Sequence, residues 1–169
     1  MAEPGRLLSP PPTPRGMAVF LLAFGLVISA AAEPLWSLVG PEAKLFSRVN
    51  KLRAERHLKK LRASPELAKV ARAHAEDMLR NDYLSHRDRQ GRNPLERVRA
   101  AGIEGFKLLA ENIASSDVAE ARVAAIVEEW LQSTLHRENL LNPAFNTSGL
   151  AVVESPDGHT LAVQLFATF

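Results

Sequence analysis

The sequence has 169 residues, 46% of them hydrophobic and 24% charged, a balance typical of one soluble domain with a packed core. The formal net charge is +2, and Lys and Arg are spread along the chain, whereas a nucleic-acid binder concentrates them on one face. Because there are no cysteines, disulfides, thiolate zinc sites, a cysteine nucleophile and a lipid-modified N-terminal Cys are excluded. Because the basic residues are dispersed, we expect no nucleic-acid partner.

The first 32 residues predict a secretory signal peptide. Arg6 and Arg15 precede an apolar run over residues 17–32, which ends in three alanines. Positive charge, a short apolar run and a small-residue cleavage site are the parts of such a signal. The run is shorter than the ~20 apolar residues that span a bilayer. We predict a linker over residues 33–43 and a secreted or periplasmic protein with no stable membrane span after cleavage. An uncleaved membrane anchor is the alternative.

Two helices are predicted at the start of the mature chain. Pro41 suits a first helical turn, and apolar residues then recur with a helical period to about His57. Ser64 is suited to cap the next helix, and Pro65 occupies its first position. The apolar stripe of this second helix predicts that it ends near Asn81.

A short third helix and a strand are predicted next. Asn93 and Glu96 have the spacing of a capping box, with a proline inside the first turn. Gly102 is suited to end this helix. Residues 106–114 contain several apolar residues and predict a strand.

The last third of the chain changes its hydrophobic period. Asp117 and Glu120 begin a predicted helix whose apolar stripe includes Trp130. Residues 150–154 and 161–166 are β-rich runs on either side of a turn with Pro and Gly, which predicts a hairpin. Together these elements indicate an α/β layered domain with a small antiparallel sheet.

Four short stretches carry the functional signal, and they are residues 83–86, 110–114, 130–139 and 145–152. Their order and spacing, with Asn50 and Arg53 in the first helix and Gly149 before the hairpin, resemble the CAP superfamily. The resemblance is to its compact, disulfide-free bacterial branch of SCP-like extracellular proteins. It covers residues 44–169 and implies a CAP-type α-β-α sandwich with an open cleft.

The resemblance also implies which residues face that cleft. Two His and two Glu do so in the family, and three of these positions match His86, Glu111 and His136. The second Glu of the family lies three residues after the tryptophan, which is Trp130 here, and this position is Ser133. The set of four is therefore incomplete, and Ser133 is a cleft residue without acid–base chemistry.

Two imidazoles and a carboxylate are ligands that zinc accepts. His86, His136 and Glu111 therefore predict a weak or transient zinc site with an open position, provided that the fold brings them together. The alternative is a hydrogen-bonded polar cluster that joins the helix ends to the sheet. Trp130 is interpreted as a core anchor. Asn112 is interpreted as a cleft residue that holds loop backbone.

Two enzyme patterns are disfavoured. Glu129, Ser133 and His136 would share a face if their helix continued that far, but neither a Gly-x-Ser-x-Gly elbow nor a visible oxyanion hole accompanies them. His-Glu-x-x-His is also absent, which disfavours a standard metalloprotease. His74 is interpreted as a packed histidine, and the basic residues within 53–62 as a solvated helix end.

The resemblance leaves three functions open. The first is a non-enzymatic binding module that holds a small apolar or envelope-derived ligand in the cleft, with a weak divalent-metal site. The second is a metal-assisted hydrolase of peptide or envelope material, with Glu111 as the base toward a bound water. Ser133 counts against this second function because it removes a second acid–base group. The third is a purely structural envelope or interaction domain.

Overall fold

The structure is a computed structural model that describes residues 40–117 and 122–169. The predicted signal peptide, the linker residues before Gly40 and the predicted helix residue Glu120 lie outside the described residues. The described elements are helices α1 (Gly40–Glu55), α2 (Pro65–Arg80), α3 (Pro94–Ala100), α4 (Arg122–Gln132) and α5 (Thr134–Leu141), and strands β1 (Arg62–Ala63), β2 (Leu108–Ser116), β3 (Thr147–Glu154) and β4 (Thr160–Thr168).

The four strands form one mixed sheet in the order β1-β3-β4-β2. β4 pairs antiparallel with β2, from Leu108 opposite Thr168, and antiparallel with β3. β1 adds a two-residue parallel edge against β3, with Arg62 opposite Thr147. The predicted hairpin and antiparallel pairing are confirmed, and β1 is an addition that the sequence did not indicate. At the other edge of the sheet, β2 is the outer strand.

Side chains alternate between the two faces of the sheet, so that each face has its own core. Along β4, Val163 and Leu165 pack against α2, whereas Ala162 and Phe166 pack on the opposite side with Trp130 of α4. Helices α2 and α3 thus cover one face, and α1, α4 and α5 cover the other. This is the three-layer sandwich that the family resemblance implied.

The helix start signals are largely confirmed. The Ser64 hydroxyl accepts a hydrogen bond from the Leu67 backbone N–H at the start of α2. Asn93 and Glu96 form the predicted capping box of α3. Helix α1 begins at Gly40, so that residues 40–43 of the predicted linker are helical. Glu42 is held there because its carboxylate accepts from the Val152 backbone N–H at 3.1 Å.

Arg53 corrects one interpretation of the sequence. It was assigned to a solvated helix end, yet its side chain is fully buried. Its guanidinium donates to backbone carbonyl oxygens of Lys59, Leu140, Asn142 and Phe145 at 2.8–3.0 Å. A planar guanidinium can serve several acceptors at once, so Arg53 ties α1 to the segment that follows α5.

Among the residues that the structure describes, no helix is long and apolar enough to cross a membrane.

Gly149 allows α2 to lie directly on β3. A Cβ at this position would sit 2.2 Å from the Ala68 backbone nitrogen and 2.4 Å from the Leu67 carbonyl carbon. Both contacts are with backbone atoms, which cannot swing aside as the end of a side chain can. The requirement for glycine here comes from packing distance.

We expect Gly149→Ala to lower the free energy of unfolding by about 3 kcal/mol, because α2 must move away from β3. Gly91→Ala is the control, since nothing lies within 4 Å of its Cβ position and only its positive φ of 79° is strained. That variant should cost about 1 kcal/mol. Urea unfolding measures both, and an equal loss in the two variants would show that close packing at Gly149 is not the cause.

Candidate functional site

The predicted site residues meet at the outer strand of the sheet. Glu111 lies on β2 and points to the face covered by α2 and α3, because it shares its side with Ile113. Asn112 points to the opposite face, toward α5. His86 lies in the loop between α2 and α3, and His136 lies on α5. The predicted cleft residues therefore lie at the β2 edge, with one histidine supplied from each side of the sheet.

A buried carboxylate organises one side of this cleft. Oε2 of Glu111 accepts a hydrogen bond from NH2 of Arg97 at 2.5 Å, and both side chains are buried. Oε1 of Glu111 lies 2.9 Å from Nδ1 of His86. Arg97 also donates through NH1 to the backbone carbonyl of His86 at 2.8 Å. Side chain and backbone of His86 are thus held by the same ion pair.

His86 is held in this way while it stays open to solvent. Its side chain is 49% exposed, whereas that of Glu111 is 1% exposed. Since Nδ1 faces Glu111, a neutral His86 donates its Nδ1–H to the carboxylate and keeps an unprotonated Nε2. The arrangement resembles the carboxylate–histidine pairs that orient imidazole ligands.

His136 supplies the second imidazole of the cleft. Its ring centroid lies 6.3 Å from that of His86, with the planes inclined by 58°. Its Nδ1 is buried without a hydrogen-bond partner among the described residues. Burial lowers the pKa of His136 below its ordinary value, and nearby His86 lowers this pKa further. His136 is therefore neutral near pH 7.

Two asparagines fix the backbone beneath His136. The side-chain amide of Asn112, fully buried, donates to the backbone carbonyl of His136 at 3.0 Å. Its oxygen accepts from the Asn139 amide at 2.9 Å. Trp130 lies in the core of the same layer and donates from Nε1 to the Ile113 carbonyl at 3.0 Å. These bonds attach α4 and α5 to β2, so that the position of His136 depends on the sheet.

Ser133 separates two helices. Its φ of −78° and ψ of 124° end α4, and α5 begins at Thr134. Glu129 and His136 therefore lie on different helices, and the shared helix face considered for a Glu–Ser–His triad does not exist. The break between α4 and α5 is confined to Ser133, and the periodicity of the flanking apolar residues did not indicate it.

The donor set fits a zinc ion only in part. Glu111 lies on the Nδ1 side of the His86 ring, away from Nε2, and both of its oxygens already accept hydrogen bonds. Within residues 40–117 and 122–169, no three His, Asp or Glu side chains are arranged to hold a metal. Because the Glu111 side chain is only 1% exposed, direct ligation would require the groups that cover it to move. The geometry brings the imidazoles of His86 and His136 together, with ring centroids 6.3 Å apart.

Sequence reasoning missed Arg97, which neutralises Glu111. The capping box predicted the helix that carries Arg97, but its partner is 14 residues away on a strand. An arginine on a short helix is ordinarily solvated, so no local pattern marked it. Two exposed leucines near the histidines were also missed. Leu84 is 51% exposed, and Leu135 is 73% exposed.

Comparisons with known proteins agree with this architecture. The model of the cysteine-rich secretory protein family, CAP, matches residues 46–166. The uncharacterized protein YkwD of Bacillus subtilis is 34% identical over 114 residues, which are 68% of this chain and 43% of that protein. The chain thus spans less than half the length of this curated relative.

Two solved structures are similar over three quarters of the chain. An outer surface protein from Borrelia burgdorferi has a TM-score of 0.69 at 26% identity and matches over 76% of this chain and 92% of its own. An extracellular protein with an SCP domain from Bacillus anthracis has a TM-score of 0.66 at 30% identity, over 75% of this chain and 39% of that one.

The three-layer sandwich is the architecture of a CAP-type domain. With the family model matching most of its length, this chain belongs to the CAP family. Its similar structures include outer-surface and extracellular proteins.

The lowered pKa of His136 predicts a loss of stability in mild acid. The unfolded chain binds a proton near the ordinary His pKa of 6.5, whereas the folded protein binds it only at lower pH. Below about pH 6.5 the unfolded state therefore holds more protons, and the free energy of unfolding falls as the pH falls. Urea unfolding at pH 7 and pH 5.5 should show this fall, and His136→Gln should reduce it. An identical fall in the variant would contradict the assignment.

Proposed function

We propose that this protein is an exported, non-enzymatic binding module that holds a small apolar or envelope-derived ligand in the cleft around His86 and His136. Its outer-surface and extracellular relatives support export. The charged N-terminus and apolar run of the sequence support the same location.

The observation that carries the proposal is that the buried carboxylate of Glu111 is already paired with Arg97 and His86. A general base must reach the proton that it removes, directly or through one water. Glu111 instead accepts from Arg97 and contacts His86, and its side chain is almost completely buried. Ser133 supplies no replacement carboxylate. Nothing in this arrangement favours a metal-assisted hydrolase with Glu111 as base.

The openness of the cleft favours binding over a purely structural role. A cluster that only stabilised the fold would have no need to keep half of the His86 side chain in solvent. Leu84 and Leu135 are exposed, and each lies within two residues of a cleft histidine. Apolar contact beside hydrogen-bonding imidazoles suits an amphipathic ligand, such as an acyl chain with a polar head.

A divalent metal is an accessory in this proposal. Glu111 orients His86 through Nδ1, so that Nε2 and the His136 imidazole remain as metal ligands. Two protein nitrogens make a weak site, because a structural zinc site normally has four protein ligands. Such an ion would supply positive charge for an anionic head group.

The proposal predicts that Leu135→Ser weakens binding of a fluorescent C18 fatty acid by about tenfold, because apolar area beside His136 is lost. Leu108→Ser is the matched control, since Leu108 is an exposed leucine that is not adjacent in sequence to a cleft histidine. Fluorescence titration measures both affinities. Thermal unfolding with and without zinc tests the metal separately: zinc should raise the midpoint of the native protein and leave the midpoint of His136→Ala unchanged. Equal affinity in Leu135→Ser and Leu108→Ser would place the ligand elsewhere or exclude this ligand class.

A further inference from the structure

Although Lys and Arg occur along the whole chain, positive charge is concentrated in one short stretch of it. Residues 44–62 contain eight of the 21 Lys and Arg residues and one of the 19 Asp and Glu residues, which is Glu55. Because the whole chain has a net charge of +2, the remainder is net negative. Of the eight cations, Arg53 is buried. The other seven are exposed and are called the basic surface: Lys44, Arg48, Lys51, Arg56, Lys59, Lys60 and Arg62.

Two segments bring these cations to the same part of the molecule. Lys44, Arg48 and Lys51 recur at i, i+4 and i+7 on one face of α1, and they border the same depression of the protein surface. The loop after α1 turns back along the helix. The Asn50 side-chain amide donates to the Leu61 carbonyl at 3.1 Å, and its oxygen accepts from the Leu61 N–H at 2.7 Å. The cations of this loop therefore lie beside α1 and extend its positive charge.

No carboxylate among the described residues forms an ion pair with the basic surface. The ion pairs that these residues form with Lys or Arg involve Arg72, Arg80, Arg92 and Arg97, all of which lie elsewhere. Seven like charges repel one another and create a positive potential that attracts anions. An anionic partner that covers several of them at once would relieve this repulsion.

The basic surface lies away from the cleft. Arg62 belongs to β1, which is the opposite edge of the sheet from β2. Helix α1 packs over β3, the neighbour of β1, whereas the cleft residues Glu111 and Asn112 belong to β2. A partner on the basic surface therefore leaves the cleft free, and the binding function proposed above makes no use of this surface.

We propose that the basic surface docks this protein on an anionic phospholipid membrane. Clusters of about four to eight Lys and Arg residues next to a membrane segment are typical of binding to anionic head groups. The linker of residues 33–39 separates the predicted signal peptide from α1, and seven extended residues span at most about 25 Å. While the apolar run is in the membrane, during export or as an uncleaved anchor, α1 is within that distance of the head groups.

A nucleic acid fits the basic surface less well than a membrane does. Single strands bind where aromatic rings stack on the bases. Residues 44–62 contain one Phe, Trp or Tyr, which is Phe46, and Phe46 packs against the core. The predicted export of the protein also separates it from nucleic acids. The chemistry of the basic surface is therefore that of phosphate groups presented by lipid.

The test measures binding to vesicles by co-sedimentation. It uses residues 33–169, the mature protein predicted from the cleavage site, which contains every described element and lacks the apolar run that would itself enter a bilayer. Vesicles of equal parts phosphatidylcholine and phosphatidylglycerol are compared with vesicles of phosphatidylcholine. We expect binding to the anionic vesicles alone. Raising NaCl from about 0.1 M to about 0.5 M should release the protein, because salt screens exposed charges.

A triple variant tests whether α1 supplies the contact. Lys44→Gln/Arg48→Gln/Lys51→Gln removes three charges from one helix face. Each basic residue near an anionic membrane raises affinity by about fivefold, so this variant should bind the anionic vesicles about a hundredfold more weakly. The three side chains are exposed, and urea unfolding should give the native midpoint.

The matched control removes the same net charge elsewhere. Lys69→Gln/Arg99→Gln/Lys107→Gln changes three exposed cations, on α2, on α3 and directly before β2. None of them belongs to the basic surface, so this variant should bind the anionic vesicles as the native protein does.

Three outcomes would overturn the proposal. The first is an absence of binding to the anionic vesicles. The second is equal weakening in the two triple variants, because net charge and not this surface would then be the cause. The third is equally tight binding to soluble polyphosphate or to a short DNA duplex, which would assign the basic surface to phosphate polymers and not to a membrane.

Discussion

The ion pair between Arg97 and Glu111 is the interaction on which the cleft depends. Removing one partner of a buried pair leaves an uncompensated charge and costs about 3–5 kcal/mol. Here the pair also joins three elements, since Arg97 belongs to α3, Glu111 to β2, and both hold the loop that carries His86. The same pair determines the chemistry of the cleft, because a carboxylate with two partners is poorly placed to ligate a metal or activate water.

The position of that pair at an outer strand explains the shape of the cleft. Alternate residues of β2 face different layers, so Glu111 acts on the α2–α3 side while its neighbour Asn112 acts on the α5 side. Strand β2 thereby positions His86 through the Glu111 side chain. It positions His136 through the hydrogen bond from Asn112 to the His136 backbone carbonyl. Arg97 also borders a pocket between α2 and α3.

The parts of this fold that local physics controls could be predicted from the sequence. Caps at Ser64 and Asn93 and the apolar periods indicated the helices, and the Pro–Gly turn indicated the hairpin. The roles of Arg53 and Arg97 could not be predicted. The acceptors of Arg53 on α5 and beyond lie 87–92 residues away, and an arginine looks the same in sequence whether it is solvated or buried. The histidines and Glu111 were found through family resemblance, whereas the use of Glu111 required its geometry.

The most direct test of the role of Glu111 is the protonation state of the His86 ring, read from its ¹⁵N chemical shifts near pH 7. We expect the neutral form to carry its proton on Nδ1, facing Glu111, with Nε2 unprotonated and available to a ligand. Glu111→Ala should remove this preference. A neutral ring protonated on Nε2, or a preference unchanged in Glu111→Ala, would contradict the claim that the carboxylate orients His86 for binding.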